Sequence, residues 1–236
     1  MPEPFAGWFA ARGWRPRPHQ LGLLDASHKR QSTLLIAPTG AGKTLAGFLP
    51  ALTELAARGR PKPGEARRGL HTLYISPLKA LATDVQRNLM MPVEEMGLGL
   101  RIETRTGDTP SDRKLRQRQR PPQILLTTPE SLSLLLSYSD AETMFAGLKA
   151  VIVDEVHAFA PTKRGDLLSL SLARLQHLAP GLRRTALSAT VRDADLYRGW
   201  LSSDGDYEGV RLVEGETGAE RTRASSGRQG PSPYAL

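Results

Sequence analysis

The chain has 236 residues, with 32 lysines and arginines against 24 aspartates and glutamates and a formal net charge of +8. This length allows one large α/β domain with a substantial core, and the positive charge favours a polyanionic partner, although charge also serves solubility. The absence of cysteine excludes disulfides, thiolate zinc sites and iron–sulfur clusters. The sequence has neither a basic-then-apolar leader nor an apolar run long enough for a membrane span, so we expect a cytoplasmic protein without membrane contact.

Short apolar runs alternate along the chain with longer segments of helical character, which predicts a parallel sheet with helices on both faces. The predicted strands lie near residues 32–37, 71–76, 101–105, 123–127, 148–153 and 183–188. The predicted helices lie near residues 43–57, 79–96, 129–137, 165–177 and 193–201. We expect Pro92 to end or kink the second helix, and the Gly-, Pro- and charge-rich residues 58–69 to form a solvent loop.

The first motif follows the apolar run Leu34–Ile36, where residues 37–44 read APTGAGKT. Glycines let the backbone curl so that successive N–H groups face one phosphate chain, and the next helix adds the positive end of its dipole. Lys43 would reach the β- and γ-phosphates of a nucleotide, and the Thr44 hydroxyl would bind Mg²⁺. Ala37 departs from the usual first glycine. The loop itself would supply further nucleotide contacts from Thr39, Gly40, Ala41 and Gly42.

A second motif follows the β-branched run Val151–Val153, where residues 154–157 read DEVH. Asp154 can bind the Mg²⁺ that Thr44 also contacts, and Glu155 can orient and deprotonate an attacking water. Two adjacent carboxylates at the end of a buried strand are costly unless a cation or polar partner meets them. The alternative is a helix N-terminus whose acids offset the dipole. The phosphate loop upstream favours the catalytic interpretation.

Together with the triplet SAT at residues 188–190, these motifs resemble those of a superfamily 2 DEXH-box helicase. Four further segments resemble the Gln motif and motifs Ia, Ib and Ic: WRPRPHQ at 14–20, SPLKAL at 76–81, TGDT at 106–109 and TPESL at 128–132. The run TKRGD at 162–166 resembles the Lhr (large helicase-related) branch, and residues 8–20 most resemble its bacterial DNA ligase-associated members. The resemblance covers roughly residues 5–201.

The resemblance implies a RecA-like P-loop NTPase domain that uses ATP and Mg²⁺, moves 3′ to 5′ on single strands and acts in DNA repair. It also implies DNA ligase and nuclease partners. Gln20 would read the adenine, and Trp14, Arg15 or Arg17 would stack on the base, a choice that the sequence leaves open. Three residues would couple the nucleotide to domain closure: His157, Ser188 and Thr190.

The nucleic-acid interface is predicted where two strands run into helices, at residues 76–79 and 128–130. Backbone N–H groups and Lys79 can bind phosphates there, so single-stranded or partly duplex DNA would be bound with little sequence preference. The predicted contacts are Pro77, Lys79, Thr106, Gly107, Thr128, Pro129 and Arg164. The basic stretch 101–120 is equally consistent with DNA binding and with a solvated helix face, and Lys163 and Arg164 equally with DNA binding and an exposed turn.

The predicted domain spans residues 1–201, followed by a domain edge or linker at 202–219 and a disordered or non-native tail at 220–236. The family's second RecA-like domain, which supplies an arginine finger, has no counterpart in this sequence. The chain is therefore expected to be truncated and a weak ATPase at most. The alternatives are a naturally short ATPase, a translocase that does not unwind, and a binding fragment without catalysis.

Overall fold

In a computed structural model of the chain, the described residues are 1–59, 69–189 and 191–215. Within these ranges the strands β1 to β7 span Ser32–Ile36, Thr72–Ile75, Ile102–Arg105, Ile124–Thr127, Ala150–Val153, Arg183–Ser188 and Val210–Glu214. The helices α1 to α10 span Phe5–Ala11, Pro18–His28, Lys43–Ala57, Lys79–Glu95, Ser111–Gln119, Pro129–Leu136, Ala141–Phe145, Val156–Phe159, Lys163–Leu178 and Ala194–Leu201. None of the helices in these ranges is long and apolar enough to cross a membrane.

The strands form one parallel sheet in the order β3-β4-β2-β5-β6-β1-β7. Successive side chains of a strand point to opposite faces, so Val151 and Val153 enter one apolar core while Ile152 enters the other. Residues from α6, α7, α8, α9 and α10 build the first core, and residues from α1, α2, α3 and α4 build the second. The predicted α/β fold with helices on both faces is confirmed.

Pro92 does not end α4, which continues to Glu95. The proline lies in the last turn of the helix, where its carbonyl still accepts a hydrogen bond from the Met96 N–H at 3.0 Å. The expected end of the helix at Pro92 is therefore wrong, because the proline ring disturbs the turn before it while the residues after it still continue the helix. The alternative, a kink at Pro92, stays a prediction. Most of the predicted 58–69 loop, residues 60–68, lies outside the described residues.

The seventh strand was not predicted. Val210–Glu214 pairs in parallel with β1, so the sheet extends past residue 201 into the segment that the sequence assigned to a domain edge or linker. This edge strand buries only Val210 and Val213, and its apolar pattern is correspondingly weak. The predicted tail at 220–236 lies outside the described residues. Helices α1, α2, α5, α7 and α8 are also absent from the predicted helices, and each of them is short or weakly patterned.

Candidate active site and nucleic-acid interface

The carboxyl ends of all the described strands lie at one edge of the parallel sheet, where ligands bind in open α/β folds. The predicted nucleotide motifs follow β1, β5 and β6, which are neighbours in the strand order. The segments predicted to contact nucleic acid follow β2, β3 and β4, which are neighbours on the other side of β5. We call these two parts of the edge the nucleotide half and the nucleic-acid half, after their predicted contacts; they meet between β2 and β5.

The phosphate loop joins β1 to α3 in a conformation that requires its glycines. Gly40 and Gly42 have φ angles of 80° and 72°, in the left-handed region that residues with side chains avoid. The Ala41 N–H donates to the Pro38 carbonyl at 3.1 Å and closes the turn. Helix α3 begins at Lys43, as predicted, so the N–H groups of its first turn are available to a phosphate.

Asp154 is a buried carboxylate, 4% exposed, at the end of β5. The Tyr74 hydroxyl donates to its Oδ2, and the Glu155 N–H donates to its Oδ1 at 2.9 Å. Burial raises the pKa of Asp154 to about 6; the Tyr74 hydrogen bond opposes that rise and the nearby charge of Glu155 adds to it. Burial also raises the pKa of the Tyr74 phenol, which remains a proton donor at neutral pH.

Lys43, Thr44, Asp154 and Glu155 line one cleft, together with Thr39 and Gly42 of the phosphate loop. The oxygen donors Thr44 and Asp154 suit Mg²⁺, which is commonly held by one or two protein groups plus the phosphates of a nucleotide. No cluster of three or more metal-ligating His, Cys, Asp or Glu side chains occurs among the described residues.

Two of the predicted coupling residues, His157 and Ser188, contact each other. His157 Nδ1 lies 2.9 Å from Ser188 Oγ and 3.4 Å from Glu155 Oε2. The Ser188 carbonyl accepts a hydrogen bond from the Ala37 N–H at 3.1 Å. This chain of contacts connects the acidic motif to the beginning of the phosphate loop. Thr190 lies outside the described residues.

Gln20 is buried in α2 and lies against the phosphate loop. Its Oε1 accepts a hydrogen bond from the Arg17 N–H at 2.9 Å, and a methyl group placed on Gly42 would lie 3.5 Å from its Nε2. The adenine contact stays a prediction. Trp14, one of the three residues predicted to stack on the base, packs edge-to-face with Trp8, with ring centroids 5.6 Å apart.

Three loops form the nucleic-acid half, and Lys79 links two of them. Lys79 begins α4, directly after Pro77 and Leu78, and its Nζ lies 2.8 and 3.0 Å from the two carboxylate oxygens of Asp108. The Thr106 N–H donates to Thr109 Oγ1 at 3.0 Å, which turns the chain at Gly107 beside the Lys79 ammonium. The predicted cation therefore lies at this edge, paired with an exposed acid.

The third loop follows β4. Thr128 caps α6 by accepting a hydrogen bond from the Ser131 N–H, and Pro129 occupies the first turn. Arg164 reaches this loop from α9: its Nε lies 2.6 Å from Glu130 Oε1 and its Nη2 3.2 Å from Oε2. Lys79 and Arg164 are thus each paired with an acid from a neighbouring segment.

The basic stretch 101–120 makes mainly intramolecular contacts. Arg105 is buried and donates to the Lys114 carbonyl, and Arg116 pairs with Glu103 at 2.7 Å. Other pairings within the fold are Arg113 with Glu103, Arg118 with Asp140, and Arg101 with the carbonyls of Arg120 and Pro121. These contacts tie most of the basic residues to partners within the fold, and the choice between DNA binding and a solvated helix face stays open.

A sequence model of the DEAD/DEAH box helicase family matches residues 17–198. The chain belongs to the DEAD/DEAH box helicase family. Two similar relatives are the Lhr helicase/uracil glycosylase of Escherichia coli, 44% identical over 210 residues, and the Lhr helicase/probable uracil glycosylase of Mycolicibacterium smegmatis, 45% identical over 206 residues. The matches cover 84% and 83% of this helicase chain but only 14% and 13% of those relatives.

A solved structure of Mycobacterium smegmatis helicase Lhr bound to ssDNA and AMP-PNP matches with a TM-score of 0.77 at 40% identity, covering 89% of this chain and 27% of that one. A crystal structure of the DUF1998 helicase MrfA bound to DNA has a TM-score of 0.76 at 24% identity, covers 91% of this chain and 29% of that one, and supports the fold alone. The predicted RecA-like helicase fold and the resemblance to Lhr are confirmed.

Two residues that contact the helicase motifs carry no sequence pattern that marks them. His19 is buried beside Gln20, and its Nε2 lies 3.0 Å from the Ala41 carbonyl in the phosphate loop. Tyr74 was counted only as part of a strand. Neither contact has a local signature, because His19 and Tyr74 each meet a partner from a distant part of the sequence.

Gly165, in the TKRGD run, allows α8 and α9 to meet closely. A Cβ at this position would lie 2.3 Å from the Phe159 carbonyl oxygen. We expect Gly165→Ala to lower the free energy of unfolding by about 3 kcal/mol, near the upper end of overpacking costs, because the obstacle is backbone. Denaturant titration measures the loss. Gly181→Ala is the matched control, since its Cβ would meet open space, and an equal loss in both variants would contradict the steric explanation.

Proposed function

We propose that this domain is the ATP-binding part of a motor that moves along single-stranded DNA. One observation carries the proposal: the nucleotide motifs and the phosphate-binding loops occupy adjacent halves of one sheet edge, meeting between β5 and β2. A shared edge allows the state of the bound nucleotide to change the affinity for DNA. The Lhr relative whose structure contains ssDNA and AMP-PNP has the same fold at 40% identity, which supports both ligands.

Within this proposal, ATP is the substrate. Lys43 binds and neutralises the β- and γ-phosphates, together with N–H groups of the phosphate loop. Thr44 and Asp154 hold Mg²⁺, which neutralises phosphate charge when bound. Glu155 orients the attacking water and accepts its proton. His157 and Ser188 connect this chemistry to the base of the phosphate loop, at Ala37, through their hydrogen bonds.

Unwinding by the whole protein is a further proposal, because this chain spans only 14% of the Escherichia coli relative. Phosphoryl transfer in such motors gains about 10³–10⁵ in rate from an arginine finger. We expect that arginine from a second RecA-like domain, and relative movement of two domains to drive translocation. A role in DNA repair and the 3′ to 5′ direction rest on the family resemblance alone. The DNA ligase or nuclease partners rest on the resemblance of the N-terminal segment to the ligase-associated members.

The DNA-binding proposal predicts that affinity for single-stranded DNA falls steeply as salt is raised and depends little on the DNA sequence. The slope of log affinity against log salt should be about −0.7 per phosphate contact, and Lys79→Gln should make it less negative by about that amount. Asp108→Asn should tighten binding, because the Lys79–Asp108 pair is exposed and its carboxylate competes with phosphate for the same ammonium. Fluorescence anisotropy with labelled oligonucleotides of unrelated sequence, across a salt series, measures both changes.

Lys149→Gln provides the matched control for this experiment. Lys149 immediately precedes β5 and therefore lies at the amino end of the sheet, away from the proposed interface. The Lys149→Gln variant should leave the slope of log affinity against log salt unchanged. Equal effects of Lys79→Gln and Lys149→Gln would indicate general attraction to a basic protein. A strong preference for one DNA sequence would contradict binding through phosphate contacts.

A further inference from the structure

Tyr74 is a buried residue that contacts Asp154, the buried acid of the nucleotide half. It belongs to β2, is fully buried, and donates its hydroxyl hydrogen bond to Asp154, 80 residues away in the sequence. On its other side, the Tyr74 ring stacks on Phe48 of α3, with ring centroids 5.2 Å apart and an interplanar angle of 26°. Tyr74 therefore joins the acidic motif to the helix that begins at Lys43.

Packing alone does not explain a tyrosine at this position. The neighbouring strand residues Leu73 and Ile75 are apolar and fully buried, and a phenylalanine ring would fill the same space against Phe48. A buried hydroxyl is costly unless it finds a partner. The partner here is the Asp154 carboxylate, whose other oxygen is held by the Glu155 N–H. The hydroxyl thus binds the second carboxylate oxygen, and the two hydrogen bonds together restrict rotation of the carboxylate group.

We propose that Tyr74 is a positioning residue that sets the orientation of the Asp154 carboxylate for Mg²⁺. This inference rests on the proposed role of Asp154 as a metal ligand. The backbone N–H of Glu155 binds Oδ1 and the Tyr74 phenol binds Oδ2, so the carboxylate is held in one orientation. Asp154 lines the nucleotide cleft, where its remaining lone pairs can accept a metal ion. Residues that hydrogen-bond to a metal ligand, without touching the metal, hold that ligand in the geometry that metal binding requires.

The stack on Phe48 extends this role to the relative placement of two motifs. Phe48 lies in the first half of α3, the helix whose first residues are Lys43 and Thr44. The ring of Tyr74 contacts that helix while its hydroxyl contacts Asp154. A single rigid side chain therefore spans the distance between the two elements that would share the Mg²⁺. Removal of the hydroxyl alone separates the positioning effect from the packing effect.

The test is Tyr74→Phe, measured by titration of a fluorescent ATP analogue with and without Mg²⁺. We expect an unchanged affinity in EDTA, and a Mg²⁺ requirement raised by about 10-fold or more, the usual effect of removing such a partner. The variant keeps the ring and its stack on Phe48, and unchanged affinity in EDTA verifies that the site is folded. Tyr138→Phe, which removes a hydroxyl outside the nucleotide half, should leave the Mg²⁺ requirement at the parental value.

A double mutant distinguishes action through Asp154 from a general weakening. Residues that act through one another are not additive, so Tyr74→Phe should change nothing further in an Asp154→Asn background. A Mg²⁺ requirement unchanged by Tyr74→Phe, while Asp154→Asn raises it, would overturn the inference and leave the proposed function intact. An additive effect in the double mutant would also overturn it. A parental Mg²⁺ requirement in Asp154→Asn would instead overturn the metal role itself, and the inference with it.

Discussion

Replacing Glu155 by glutamine should leave ATP bound and slow its hydrolysis by about 10²–10⁴-fold, the usual contribution of a general base. The amide keeps the size of the side chain but cannot accept the proton of the attacking water. Glu155 is suited to this role because it lines the nucleotide cleft while remaining partly exposed, with 31% of its side chain accessible to water. Its left-handed backbone, with φ of 49°, turns the chain sharply after Asp154.

The rate is best measured in a single turnover, with protein in excess over labelled ATP and single-stranded DNA present, because slow hydrolysis remains visible there. Glu142→Gln is the matched control: it makes the same chemical change on the exposed surface of α7, away from the cleft. Binding of the ATP analogue should be similar in both variants and the parent. Hydrolysis at the parental rate in Glu155→Gln would contradict the general-base assignment.

The central fold was predictable because its signals are local. A buried parallel strand is a short apolar run, and an amphipathic helix repeats its pattern over several turns, so six strands and the bounds of α3 followed from the sequence. Strand β7 was not predictable in this way. Its five residues bury two valines, and its place in the sheet depends on pairing with β1 far upstream. An edge strand of this kind is specified by its partner more than by its own pattern.

The residues of the candidate site also divide into those with local sequence signals and those set by distant partners. The phosphate loop and the acidic motif were predicted because their chemistry requires particular residues in adjacent positions. That the loops after β2 and β4 share an edge followed from parallel pairing, and the structure places β3 beside them. The contacts that hold these groups come from distant residues. No local pattern indicates that Tyr74 meets Asp154, or that Arg116 meets Glu103 rather than DNA.

Replacing Lys43 by alanine should weaken the binding of Mg·ATP by about 100-fold or more, which corresponds to losing one or two charge-assisted contacts of about 1.5–3 kcal/mol each. Lys43 is the sole basic residue among residues 37–44, so no neighbour in the loop can replace its charge. The side chain is 7% exposed and lines the same cleft as Asp154. A buried cation there meets phosphate with little competition from water, which strengthens the interaction.

A titration of the fluorescent ATP analogue in the presence of Mg²⁺ measures this loss, and Lys149→Ala, at the amino end of the sheet, should leave the affinity unchanged. Lys43→Arg separates charge from shape: it keeps the positive charge but replaces a compact ammonium with a planar fork, so we expect affinity between those of the parent and Lys43→Ala. The variants must retain the parental circular dichroism. Parental affinity in a folded Lys43→Ala would mean that the loop after β1 does not bind the phosphates, and the roles assigned to Thr44 and Asp154 would lose their basis with it.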